Sequence, residues 1–138
     1  MREILFRGKR KDNGEWFEGF YSVDTVSSGG NYHVAPVISE SPSKLFGGEW
    51  HEVIPETVGQ FTGMTDKNGV KIFEGDIVSF ADCWDTQHKG VVCWRSGSYD
   101  VDCSKSDNEE DKDFFRLFTA YACGAKIIGN IHNGGIKI

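Results

Sequence analysis

Apolar and polar positions alternate in short runs along this chain, and the runs are separated by glycine, asparagine and serine. A repeat of two predicts strands, whose successive side chains face opposite sides, and leaves little room for helices with their 3.6-residue repeat. At the N-terminus, Ile4-Leu5-Phe6 precedes the turn-forming Lys11-Asp12-Asn13-Gly14, and Glu15 to Tyr21 returns with interleaved apolar and polar residues. This reads as a β-hairpin, with Gly19 marking a bulge or a close backbone approach. From Ser22 to Gly30, serine, threonine, aspartate and glycine predict a loop, followed by a short strand at Asn31 to Ala35. Pro36, Pro42 and Gly47-Gly48 then break any regular pattern as far as Trp50, though Val37-Ile38 and Leu45-Phe46 can pack as short pieces.

Beyond Pro55 the strand signal strengthens. Thr57 to Thr62 reads as a strand, Asp66-Lys67-Asn68-Gly69 as a tight turn in which Asn-Gly takes positive φ, and Lys71-Ile72-Phe73 as the return. Glu74-Gly75-Asp76 leads into a strand from Asp76 to Ala81, with a further strand at Gly90 to Trp94 and another at Tyr99 to Cys103. A glycine and an acid before a β-branched pair is the start of the first long strand in many small SH3-like barrels, where glycine permits the bend. Asn13-Gly14 followed by Phe17-Glu18-Gly19 echoes Asn68-Gly69 followed by Phe73-Glu74-Gly75, with a spacing that differs by one residue. Ser106 or Asp107 can cap a short helix, with acids near its N-terminus. Phe114, Phe115, Leu117, Phe118 and Tyr121 fit a helical stripe and a buried strand about equally. Ala125 to His132 closes the pattern as a strand, with a Gly134-Gly135 turn before Ile136 to Ile138. The predicted fold is mostly β: an N-terminal β-hairpin region, residues 1–55, packed on a C-terminal SH3-like small β-barrel, residues 56–138. It has room for one short helix, and the two parts are small enough to form one compact unit.

Composition agrees with that picture. The 138 residues suffice to bury a core without metals or disulfides, and seventeen glycines and ten phenylalanines against three prolines fit many turns and aromatic-rich strands. The formal charge is -6, which argues against a general grip on nucleic acid through phosphates. Arg2, Arg7, Lys9, Arg10 and Lys11 form a local basic cluster, read here as solvated side chains flanking a turn. Acids crowd from Asp100 to Asp113; the segment 104–113 reads as a solvated loop, with mimicry of nucleic acid toward a basic host protein as the sharper alternative. Cys83, Cys93, Cys103 and Cys123 contain no Cys-x-x-Cys pair, so reduced thiols in a cytoplasmic protein are expected rather than zinc or disulfides. No signal peptide and no apolar run of membrane-spanning length is visible.

Candidate chemistry is sparse. Neither a phosphate-binding glycine loop nor a Gly-x-Ser-x-Gly elbow occurs. Trp50-His51-Glu52 places a histidine beside a carboxylate, the elements of a general base, but neighbours on a strand face opposite sides and would not pair. Asp82, Asp85 and His88 could hold a divalent metal for phosphodiester hydrolysis, against the simpler reading of a polar loop. Asp76 is expected to fix its turn by bonding backbone amides. Trp16, Phe17, Phe20, Tyr21, Trp84, Trp94 and Tyr99 are expected mostly in the core, with one or two left exposed as a stacking platform or peptide pocket. The expected catalytic, cofactor and metal sites are therefore none.

Three segments together, Met1 to Arg7, Glu56 to Val78 and Ile127 to Ile131, resemble the YopX family of small phage and prophage proteins. The middle one is the specific one: Thr62-Gly63-Met64-Thr65-Asp66-Lys67-Asn68-Gly69, then Ile72-Phe73-Glu74-Gly75-Asp76-Ile77-Val78, follows the family's pattern almost residue by residue. The end departs, with His132 to Ile138 in place of the family's acidic, proline-containing tail, and the loops at 22–48 and 104–113 have no counterpart. The resemblance implies lineage and fold, and no established activity. The expectation is a non-enzymatic accessory protein in the bacterial cytoplasm that binds a host or phage protein through its loops and exposed aromatics. A homo-oligomer formed through unpaired strand edges is a further expectation. A nucleic-acid-binding barrel acting through Arg7, Lys9 and Arg10 is the first competitor, and a metal-dependent hydrolase the second.

Overall fold

The computed structural model describes residues 4–28, 30–41, 48–104 and 114–132. The chain divides into two compact units, Met1–Phe61 and Thr62–Ile138. The mostly-β expectation holds, since every described element but one short α-helix and one 3-10 turn is a strand. No helix among the described residues is long and apolar enough to cross a membrane.

In the first unit, β1 (Phe6–Lys9), β2 (Trp16–Ser28), β3 (Asn31–Ser39) and β4 (Trp50–Glu52) pair antiparallel in the order β4-β3-β2-β1. The start of β5 (Gly59–Thr65) adds to β1, with Gln60 opposite Phe6 and Gly59 opposite Arg7. Of the loop expected from Ser22 to Gly30, Ser22 to Ser28 is instead strand, and Gly30 lies in the turn. β2 and β3 pair continuously from Phe20 opposite Ser39 to Ser28 opposite Asn31. The β-branched residues Val23, Thr25, Val26 and Val34 favour an extended pleated surface strongly enough to override the serines and aspartate between them. Pro36 is tolerated inside β3 because it faces away from β2, where its carbonyl accepts the Val53 N–H at 3.1 Å and its missing donor costs no β2–β3 bond. Gly19 is a close approach, as expected, since a Cβ there would collide with the Ser39 carbonyl. Val37, Ile38 and Val53 are fully buried.

The second unit contains the end of β5, then β6 (Lys71–Phe73), β7 (Asp76–Ala81), β8 (Gln87–Arg95), β9 (Ser98–Asp102), β10 (Phe114–Arg116), α1 (Leu117–Ala122) and β11 (Lys126–Asn130). Five of these strands form an antiparallel sheet ordered β10-β9-β8-β7-β11. This sheet is open, with β10 and β11 at its two edges, so the SH3-like small β-barrel is not closed among the described residues. The stretch that fitted helix and strand equally is both. Phe114–Arg116 pairs with β9, and the chain turns at Arg116 into α1, which buries Leu117 and Ala120 one helical turn apart. These join Ile72, Val78, Phe80, Val92, Val101, Cys103 and Ala125 in one core. The caps proposed at Ser106 and Asp107 and the Gly134-Gly135 turn lie outside the described residues.

Two carboxylates hold the turns of the Thr62 to Val78 block. The β5–β6 turn is closed by Gly69 N–H donating to the Asp66 carbonyl at 3.0 Å and Asp66 N–H donating to the Val70 carbonyl at 2.8 Å. Gly69 takes positive φ but Asn68 does not, so the two-residue turn with both at positive φ is not formed. Asp66 replaces it. Its Oδ1 accepts the Asn68 and Val70 amides at 2.9 Å each, and its Oδ2 accepts Ile127 N–H at 3.2 Å, tying the turn to β11. Asp76, 2% exposed, accepts Phe73 N–H at 2.8 Å and the Asn130 amide at 3.1 Å, as its expected turn-fixing role requires. Gly75, at φ +90°, makes the bend before it.

Asp76→Ala strands the buried Phe73 amide and the Asn130 side chain, and is expected to cost about 3 kcal/mol in urea unfolding. Burial is the largest influence on Asp66 and opposes its ionisation, but the Val70, Ile127 and Asn68 amides with Lys126 together hold its pKa below the ordinary value. A lowered folded pKa stabilises the fold above the unfolded value of about 4, and this contribution fades as pH falls through the folded value. Asp66→Asn is therefore expected to lower stability at neutral pH and to flatten its decline between neutral pH and that acid range, read by thermal unfolding across pH.

Candidate functional site

The first unit holds a cleft of about 430 Å³ built where the β1–β2 turn meets β3 and β4, lined by Lys11, Asp12, Val26, Ser27, His33, Trp50, His51 and Glu52. Register places its central residues. Val26 stands opposite His33 and Val37 opposite Glu52, and directly opposed residues share a face of the sheet. His33 and Glu52 therefore point to one side, and His33 Nε2 lies 3.0 Å from Glu52 Oε1. The other carboxylate oxygen accepts Lys11 Nζ at 2.9 Å, while Lys11 N–H donates to the Glu52 carbonyl. One carboxylate thus joins the β1–β2 turn to β3. The Lys11 hydrogen bond is the main cause holding Glu52 below the ordinary carboxylate pKa, against partial burial and with help from His33.

His51 and Glu52 do not pair, as strand alternation predicts. His51 Nε2 meets Glu49 Oε1 at 2.7 Å, and its ring lies edge-on to Phe17 at 4.9 Å. Arg10 forms a two-pronged bridge to Asp12, at 3.0 and 2.8 Å. The cleft's acids and bases are thus largely neutralised by one another, with Val26 and the half-exposed Trp50 supplying apolar surface. Glu52, with both oxygens occupied and its pKa lowered, is a poor proton acceptor and a good positioning group.

Other candidates fall elsewhere. Asp82 and His88 are brought together at 2.7 Å, but Asp82 also caps its own turn by accepting the Trp84 and Thr86 amides. The His88 bond is the main cause lowering the Asp82 pKa. Asp85, at φ +62°, does not join them, and among the described residues no three His, Cys, Asp or Glu side chains cluster as a metal would need. His88 instead packs between Phe80 and Phe115. All four cysteines are free thiols, and burial with Asp102 and Asp100 nearby raises that of Cys93. In the basic cluster, Arg7 and Lys9 lie over the Trp16 ring at 4.6 and 5.5 Å; Arg2 lies outside the described residues.

The aromatic expectation needs correction. None of Trp16, Phe17, Phe20, Tyr21, Trp84, Trp94 and Tyr99 is fully buried, and four are exposed, Trp84 by 84%. Aliphatic residues with Phe61, Phe73 and Phe80 fill the core instead; Trp84 lies in the β7–β8 turn and Trp94 near the end of β8, while Phe20 and Tyr21 stand exposed within β2. In the second unit, Arg95, Ser96, Asp100, Phe114 and Arg116 line a cleft of about 300 Å³, with the Arg95 guanidinium 3.6 Å from the Phe114 ring. The acidic 105–113 segment lies outside the described residues.

The family model described as YopX protein matches residues 5–135. The chain belongs to the YopX family. No curated protein matches it. In this YopX chain, within Thr62 to Val78, three polar side chains bond the backbone: Thr62 Oγ1 donates to the Ile72 carbonyl at 2.8 Å, beside the roles of Asp66 and Asp76. The grouping of Lys11, His33 and Glu52 was not visible in the sequence, because it depends on the β2–β3 register that the serine-rich composition concealed.

A double-mutant cycle on Lys11→Ala and Glu52→Ala is expected to give a coupling of about 0.5 kcal/mol in chemical unfolding, since Lys11 is exposed and its partner only partly buried. That coupling should shrink in high salt.

Proposed function

We propose that this YopX protein is a phage or prophage accessory protein of the bacterial cytoplasm that acts by binding a protein partner, without catalysis. The observation that carries this reading is the N-terminal cleft. Its ionisable groups are paired internally, and Trp50 and Val26 provide apolar contact beside a polar rim, the anatomy of a recognition pocket. Asp66 and Asp76 support it further, their carboxylates being used to hold turns. The net charge of -6, and the engagement of Arg10 by Asp12, favour a protein over nucleic acid as partner.

Affinity capture from bacterial host lysate, with and without nuclease and alongside a Trp50→Ala variant, tests this. A nuclease-resistant protein partner whose recovery falls at least tenfold with Trp50→Ala is the expected outcome. Recovery of nuclease-sensitive material alone, lost on changing Arg7, Lys9 or Arg10 to Glu, would replace it with nucleic-acid binding.

A further inference from the structure

From Asn31 to Ala35, before Pro36, β3 pairs only with β2 among the described strands. β4 covers β3 only from Val37 to Ser39, after which Val53 N–H meets the Pro36 carbonyl and the chain leaves for Lys9. Backbone groups along a strand point alternately to its two sides. Pro36 and Ile38 face β4, so Val34 and Tyr32 face the same side, where no described strand pairs with them. The side chains of this edge are the most exposed apolar ones in the first unit, Tyr32 by 76% and Val34 by 71%. It carries no lysine or other charge of the kind that usually blocks edge pairing.

We propose that this edge pairs with the same edge of a second copy, β3 against β3, across a two-fold axis at His33. The pattern is self-complementary in one register. With Tyr32 opposite the second copy's Val34, and Val34 opposite its Tyr32, every outward N–H and C=O of these residues has a partner, and two apolar cross-strand pairs form. Moving the register one way sets Pro36, which has no N–H, opposite Tyr32. Moving it the other way sets Val34 opposite Gly30, outside the strand in the hairpin turn. Charge does not block this occupant. Two copies of a chain of net charge -6 repel, and Tyr21, Val23, Thr25, Tyr32 and Val34 make one uncharged face, on which the copies meet with least penalty. The pairing uses the backbone edge of β3 and so does not rest on what the cleft binds, although His33 at the axis also carries the Glu52 contact.

Sedimentation of the full chain over micromolar to millimolar concentration tests it, with a dimer of micromolar affinity expected for so small an interface. Added salt should leave that dimer intact or strengthen it. Val34→Glu and Tyr32→Lys should each weaken it at least tenfold, and the double variant should regain it through two Lys–Glu cross-strand pairs. On a Cys83→Ser background, His33→Cys should crosslink to itself under mild oxidation, because the axis brings the two residues together. A chain that stays monomeric throughout overturns the proposal and leaves the edge to a strand of another protein. So does a dimer unchanged by Val34→Glu, or one in which the double variant fails to recover and His33→Cys fails to crosslink.

Discussion

The buried carboxylate of Asp76 is the constraint on which the second unit depends. It sits one residue after a glycine at positive φ, accepts the Phe73 amide across the β6–β7 bend, and receives the Asn130 side chain from the last strand. A carboxylate that is 2% exposed is costly unless its lone pairs are used. Those bonds therefore fix three elements at once: the end of β6, the start of β7 and the end of β11. Asp66 does the same at the other end of the block by reaching Ile127. The two acids pin β11 to the β5–β7 meander from both ends.

This gives the polar and glycine positions of the Thr62 to Val78 block a structural role. Thr62, Asp66, Gly69, Gly75 and Asp76 meet requirements of backbone geometry and hydrogen bonding. The acids and bases that could support chemistry, His33, Glu52 and Lys11 in one unit and Asp82 and His88 in the other, are tied to one another or to turns. What remains accessible is suited to contact: Trp50 at the cleft, the rim aromatics, and the uncharged edge of β3.

The sequence made some elements plain and hid others for physical reasons. Asp66 to Gly69 and Gly75-Asp76 were readable because turns select residues locally. Asp76's bonding role followed from the same logic. The strand-or-helix ambiguity at Phe114 to Tyr121 reflected a real change of period at Arg116. The β2–β3 hairpin resembles loop in the sequence because serine and aspartate on an exposed strand look like loop composition, while pairing with a neighbour decides the structure. The cleft was lost with it, since Lys11, His33 and Glu52 meet only once that register is known. The exposure of the tryptophans was equally invisible, because bulk suggests the core and position at strand ends does not show in composition.

Amide hydrogen exchange of the free protein tests most directly the claim that the Asp66 and Asp76 carboxylates hold the fold. The amides of Phe73, Val70 and Ile127, which donate to Asp76 and Asp66, should exchange only on global unfolding and so rank among the slowest in the chain. Fast exchange at these three positions, with the neighbouring strands β7 and β8 still protected, would show that the carboxylates do not secure the turns and would contradict the account.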